Sequence, residues 1–140
     1  MSSPSNILFI DANHQDCDYY SQRLRISSPD SVVIQAATGR VGLAICNSQT
    51  IDCVVLELDL PDMSGFEVLL KLVPRARHPE IAVIVFTRLS NPYLLDAAVS
   101  NGAQAALHKS MASGDILDQT ILRAVSAVPR KRTEPSHFAV

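Results

Sequence analysis

Six side chains able to do chemistry each stand directly behind a short apolar run. Asp11 follows Ile7-Leu8-Phe9-Ile10, and Glu57 and Asp59 follow Cys53-Val54-Val55-Leu56. Thr87 and Arg88 follow the run 81–86, and Lys109 follows Ala105-Ala106-Leu107-His108. Carboxyls, a hydroxyl and two cations in such a setting can pair with one another, or bind an anion beside Arg88 and Lys109. Charges close to a core are normally paired, so Lys109 and Arg88 are the expected partners of Glu57.

The other reactive residues suggest less. Cys17, Cys46 and Cys53 are odd in number and lack C-x-x-C spacing, which points to buried reduced thiols rather than disulfides or zinc. His14, His78, His108 and His137 have no metal-ligand spacing, and His108 reads as a structural histidine. A net charge of -2 gives no attraction to nucleic acid or anionic membrane. The basic residues Arg75, Arg77 and His78 read as a solvated loop, and Arg130-Lys131-Arg132 as a solubilising stretch. No leader peptide is expected in residues 1–5, which are short and polar, and every apolar run is too short to span a bilayer.

The elements that must position the six residues can be read in order. With 140 residues, 47% of them apolar and 19% charged, the chain suits one globular domain. The run 7–10 reads as a strand, and Asn13 as the cap of a helix over 14–25, with Asp16 completing a partial capping box. Residues 32–34 form a second strand, Thr38-Gly39 turns the chain, and Val41, Ala44 and Ile45 mark a second helix. The third strand lies within 52–58, and Phe66, Leu69, Leu70 and Val73 mark the third helix. The run 81–86 is the fourth strand. Asn91 and Pro92 open a helix carrying Leu94, Leu95, Ala98 and Val99, which stops at Gly102. Residues 105–108 form the fifth strand. Ser113 caps a last helix with Ile116, Leu117, Thr120, Ile121, Ala124 and Val128 inward. The expected division is a flexible start over 1–5, a domain over 6–128 and a flexible tail over 129–140. Alternating strands and helices imply a parallel sheet covered on both faces, with polar residues gathered beyond its C-terminal strand ends.

In this order the landmarks Asp11, then the segment Leu56-Glu57-Leu58-Asp59-Leu60-Pro61-Asp62-Met63-Ser64-Gly65, then Phe86-Thr87, Gly102-Ala103 and His108-Lys109 resemble the receiver domain of two-component response regulators. The likeness covers about residues 6–128. It implies a flavodoxin-like doubly wound sheet with strand order 2-1-3-4-5. Thr87 and Lys109 match the family's switch and lysine positions. Elsewhere the chain departs from the pattern. Counting back from Pro61 puts Glu57, not an aspartate, in the phosphoacceptor position. Asp11 matches the first acid of the family's pair, but Ala12 replaces the second. Asp59 falls where a backbone carbonyl usually meets magnesium. Arg88 stands where a small residue is usual, Ser110 where proline is, and Ala106 where the switch aromatic is.

The resemblance implies a carboxylate nucleophile, a bridging magnesium ion and a neutralising lysine. Ala12 supplies no oxygen to a metal, and the extra methylene of Glu57 shifts its carboxylate, a displacement that can cost about 100-fold in rate. Magnesium binding is therefore expected to be weak or absent, Asp11, Glu57 and Asp59 being the only weak candidates, and no catalytic role is assigned. Glu57 would either mimic the phosphorylated state or serve as an ion pair that holds the loops. A trans Lys109–Ser110 bond is expected, since a non-proline cis bond costs roughly 2.5–4 kcal/mol, and with it a loosened site.

These expectations describe a cytoplasmic, phosphorylation-independent interaction module of a bacterial signalling system, not an enzyme. Its partner would be a histidine kinase, a regulator or a second copy. The docking face would be helix four, strand five and helix five, with Pro92, Tyr93 and Leu94 exposed, or helix one. No attached effector is expected after Val128. Two alternatives stay open: a phosphoacceptor at Asp59 or Glu57 with magnesium, and an anion or metabolite sensor at the same rim.

Overall fold

The computed structural model describes residues 5–129. The expectations for residues 1–4 and for the tail from Arg130, with its basic stretch and His137, lie outside those residues. Five strands form one parallel sheet: β1 (Asn6–Ile10), β2 (Val32–Ala36), β3 (Cys53–Leu56), β4 (Ala82–Thr87) and β5 (Ala105–His108). Their order is β2-β1-β3-β4-β5, the doubly wound arrangement expected. The helices are α1 (His14–Ser27), α2 (Gly39–Ser48), α3 (Gly65–Leu72), α4 (Pro92–Ser100) and α5 (Gly114–Ala127).

Side chains of the central strands alternate between two apolar layers. Leu8, Ile10, Val54, Leu56, Val83 and Val85 share one layer with Leu43 of α2, Val68, Leu69 and Leu72 of α3, and Ala98 of α4. Ile7, Phe9, Cys53, Val55, Ile84 and Phe86 form the other with Cys17 and Leu24 of α1 and Leu117, Ile121 and Ala124 of α5. Because both faces are covered, these strands read as unbroken apolar runs. Burying each Leu, Ile or Val stabilises by roughly 1.5–3 kcal/mol, which makes the two layers the main source of stability.

Local chemistry sets the helix starts. Asn13, Asn91 and Ser113 accept from the backbone N–H groups of Asp16, Tyr93 and Ile116, as caps do. Thr38 is a cap as well, accepting from the amide of Val41, so Thr38-Gly39 opens α2 instead of turning the chain before it. Asp62 accepts from the amides of Gly39 and Arg40 and ties the loop after β3 to α2. Gly102 ends α4 with φ 108°, a conformation open to glycine. Gly65 allows a close approach: a Cβ there would lie 2.6 Å from the carbonyl oxygen of Glu57.

Helix phase departs from expectation in places. Ile116 is exposed rather than inward, because Leu117 holds the inward phase. Leu94 is half-buried against the core, while Pro92 and Tyr93 of the same turn are exposed. Among the described residues, no helix is long and apolar enough to cross a membrane.

Candidate functional site

The C-terminal ends of β1, β3, β4 and β5 deliver Asp11, Glu57, Thr87 and Lys109 to one rim, as element order requires. A shallow cavity of about 340 Å³ opens there, lined by Asp11, Ala12, Asn13, Glu57, Asp59 and Arg88.

Lys109 is the centre of the cluster. Its ammonium lies 2.6 Å from Asp11 Oδ2, 2.8 Å from Asp16 Oδ2 and 3.5 Å from Glu57 Oε1. It also sits 5.9 Å above the ring centroid of Phe86, within range of a cation–π attraction. Burial pulls the Lys109 pKa down, but the hydrogen bonds it donates to Asp11 and Asp16 and the charges of Asp11 and Glu57 outweigh it, so the net shift is upward. One ammonium thus serves three carboxyls. Asp11 shows the imbalance: burial drives its carboxyl up, and Lys109 and the Asn13 amide offset this only in part.

Glu57 is almost wholly buried, at 2% exposure, and its carboxyl turns back onto the backbone. Oε2 accepts from the amides of Leu58 at 2.7 Å and Asp59 at 3.3 Å. Oε1 accepts from the amide of Arg88 at 3.2 Å. The expected pairing of Glu57 with the Arg88 guanidinium is therefore corrected. That guanidinium binds Asp59, and only the Arg88 backbone reaches Glu57. A buried carboxyl takes preset amides at no side-chain entropy, whereas the long Arg88 side chain stays out in solvent.

The remaining rim residues are satisfied locally. Thr87 is fully buried, and its hydroxyl accepts from Leu89 N–H. His108 Nδ1 accepts from the Ser110 amide, so Nε2 carries the proton donated to the Arg88 carbonyl at 3.0 Å. This matches the structural role expected for it. Ser110 is exposed within a 3-10 turn over Lys109–Met111, and Ala106 packs half-buried against the α2–α3–α4 layer. No peptide bond among the described residues is cis, so Lys109–Ser110 is trans as expected. The expected loosening of the site is not seen, because three carboxyls hold Lys109.

Asp16 is the residue that sequence reasoning missed. It was assigned to a capping box, yet its carboxyl reaches Lys109 instead. A helix capped by Asn13, two residues beyond Asp11, was the available signal, since it places Asp16 in the first turn near the same strand end.

Magnesium requires near-octahedral oxygen coordination at about 2.0–2.1 Å. Here Ala12 presents a methyl group. Both oxygens of Asp11 and of Glu57, and Oδ2 of Asp59, already accept hydrogen bonds from protein donors. No group of three or more His, Cys, Asp or Glu among the described residues is placed to hold a metal ion. The residues present do not fit a magnesium ion.

A doubly wound domain with acids and one lysine gathered at the C-terminal strand ends defines a signalling module of the receiver class. The model of the response regulator receiver domain matches residues 7–121, and the chain belongs to that family. The nitrate/nitrite response regulator protein NarL of Escherichia coli is 26% identical over 135 residues, covering 89% of this chain. The chain spans 62% of NarL's length. The two-component response regulator ARR6 of Arabidopsis thaliana is 23% identical over 81% of this chain and 66% of its own. A CheY-like receiver from Methanospirillum hungatei JF-1 superposes with TM-score 0.79 at 25% identity, covering 89% of this chain and 96% of that one. A receiver domain from Clostridium thermocellum gives 0.76 at 26%, covering 88% and 95%.

Proposed function

We propose that this receiver domain acts as a phosphorylation-independent protein–protein interaction module in a cytoplasmic two-component pathway. The observation that carries this reading is the occupancy of the rim. The residue in the nucleophile's seat is Glu57, and its carboxyl is folded onto the amides of Leu58, Asp59 and Arg88. An in-line phosphoryl acceptor must be free to meet its donor, and neutralising metal is part of the usual chemistry. Here the lysine supplies the positive charge from inside the protein. The arrangement favours Glu57 as an ion-pairing and loop-holding group. The partner is a histidine kinase or another regulator. The α4–β5–α5 face, with Pro92 and Tyr93 exposed, offers a surface for it or for a second copy.

Incubation with acetyl phosphate and magnesium, followed by intact mass, tests the reading. The expected outcome is no phosphoryl adduct on the wild-type chain. Ala12→Asp combined with Glu57→Asp should begin to bind magnesium, seen as a cation-dependent rise in melting temperature. A stoichiometric adduct at Asp59 or Glu57 of the wild type would overturn the proposal.

A further inference from the structure

Four hydrogen bonds close a ring between the rim and the start of α1. Lys109 donates to Asp11, and the other oxygen of Asp11 accepts from the Asn13 amide at 2.9 Å. Asn13 Oδ1 accepts from the Asp16 amide at 3.0 Å, and Asp16 Oδ2 returns to Lys109 at 2.8 Å. A second connection runs beside it through aromatic rings. Lys109 lies over Phe86, Tyr20 meets Phe86 edge-on at 4.9 Å between centroids, and Tyr19 meets Tyr20 edge-on at 5.0 Å. Tyr19 is 55% exposed, so this second path ends on the outer face of α1. Toward α4 the rim reaches the connecting loop and not the helix itself: Glu57 accepts from the Arg88 amide, the Arg88 guanidinium binds Asp59, and His108 donates to the Arg88 carbonyl. Thr87 engages only the Leu89 amide, and β5 presents the methyl group of Ala106.

We propose that Lys109 and Asp16 form an ionic latch that fixes the first two turns of α1 against the rim, making the Tyr19 face of α1 the surface that the rim controls. The proposal rests on the reading above and deepens it, because it names a coupling between the rim and α1 that needs no phosphate.

Hydrogen exchange of the full chain tests it, comparing wild type with Asp16→Asn, Lys109→Met and the double variant. Protection over residues 14–20 should fall about tenfold in Asp16→Asn, the change that about 1.4 kcal/mol produces, and at least as far in Lys109→Met. The double variant should fall no further than Lys109→Met alone, and in Asp16→Asn peptides from α4 should keep wild-type protection. Asp16→Asn keeps the Asn13 cap, which uses the backbone of residue 16. Should Lys109→Met fail to fold, Asp16→Glu decides, with protection regained relative to Asp16→Asn supporting the latch. The Tyr19 ring resonances should shift in both single variants. Additive losses, equal loosening of α4, or unchanged exchange in Asp16→Asn would each overturn the latch. Phosphodonor labelling is a separate measurement: an adduct would sink the functional reading and leave the latch standing.

Discussion

The two sides of the sheet are held together in different ways. The core of the α2–α3–α4 layer is apolar, and its polar contacts sit at helix ends, such as the caps Thr38 and Asn91 and the Asp62 carboxyl at the start of α2. The α1–α5 layer has an apolar floor too, but polar cross-links stitch its helices to the sheet and to each other. Lys109 binds Asp16, Ser27 donates to Asp118, Arg23 pairs with Asp115, and Gln35 reaches Ser21. Packing without polar groups responds little to pH or to a single charge, whereas buried ion pairs respond to both. The difference teaches that the α1 side is where the stability of this domain is open to pH and to single charges.

The comparison can be broken or sharpened by substitution. Leu69→Ala, in the apolar layer, should cost about 4 kcal/mol in urea unfolding, with no change in that cost between pH 6 and pH 9. Lys109→Ala should cost about 3 kcal/mol at neutral pH, since it leaves Asp11 and Glu57 buried without their cation. Its pH dependence has a definite sign. The folded pKa of Lys109 lies above its ordinary 10.5, so its contribution is complete below 10.5 and is lost as pH rises through the folded value. The gap between wild type and Lys109→Ala should therefore close in strongly alkaline solution. A gap that persists there would show that the loss is one of packing.

Smaller effects follow. Asn91→Ala removes the α4 cap and should cost about 1 kcal/mol by thermal melting, independent of pH above 5. Asp118→Asn works the other way. Burial raises the Asp118 carboxyl, with Ser27 and Arg23 offsetting it only in part, so folding disfavours its charged form. A neutral amide that still accepts from Ser27 should raise the melting temperature by about 2 °C at pH 7. The gain should vanish as pH falls below the folded pKa, where the native carboxyl is itself neutral. No gain at pH 7 would mean that Asp118 is ionised at little cost, and the α1–α5 layer would then resemble its counterpart more closely.

Much of the fold was legible in the residues. Strand five over 105–108, the caps Asn13, Asn91 and Ser113, and the stop at Gly102 all follow from local rules on apolar runs, side-chain oxygens and φ. That Asp11, Glu57, Thr87 and Lys109 share a rim also follows, because the ends of parallel strands lie on one edge. Which acid each cation chooses did not follow. Lys109 prefers Asp11 and Asp16 to Glu57, Arg88 takes Asp59, and Glu57 bonds to nearby amides. These choices depend on rotamers and on distances of a few ångströms between segments far apart in the chain, which spacing does not encode. Ile116 departs from its expected inward place for a related reason: an apolar side chain at the margin of a helix face can fall on either side of it.

Cys17, Cys46 and Cys53 are all buried, and burial pushes the first two thiols up to about 12 and the third higher still. At neutral pH the native fold therefore offers almost no thiolate to an electrophile. A single cysteine placed at an exposed position such as Tyr19 or Tyr93 would then be the one site that a maleimide dye attacks quickly. Fluorescent reporters can be mounted on either helix of the untouched native background, and approach of a binding partner can be followed in real time.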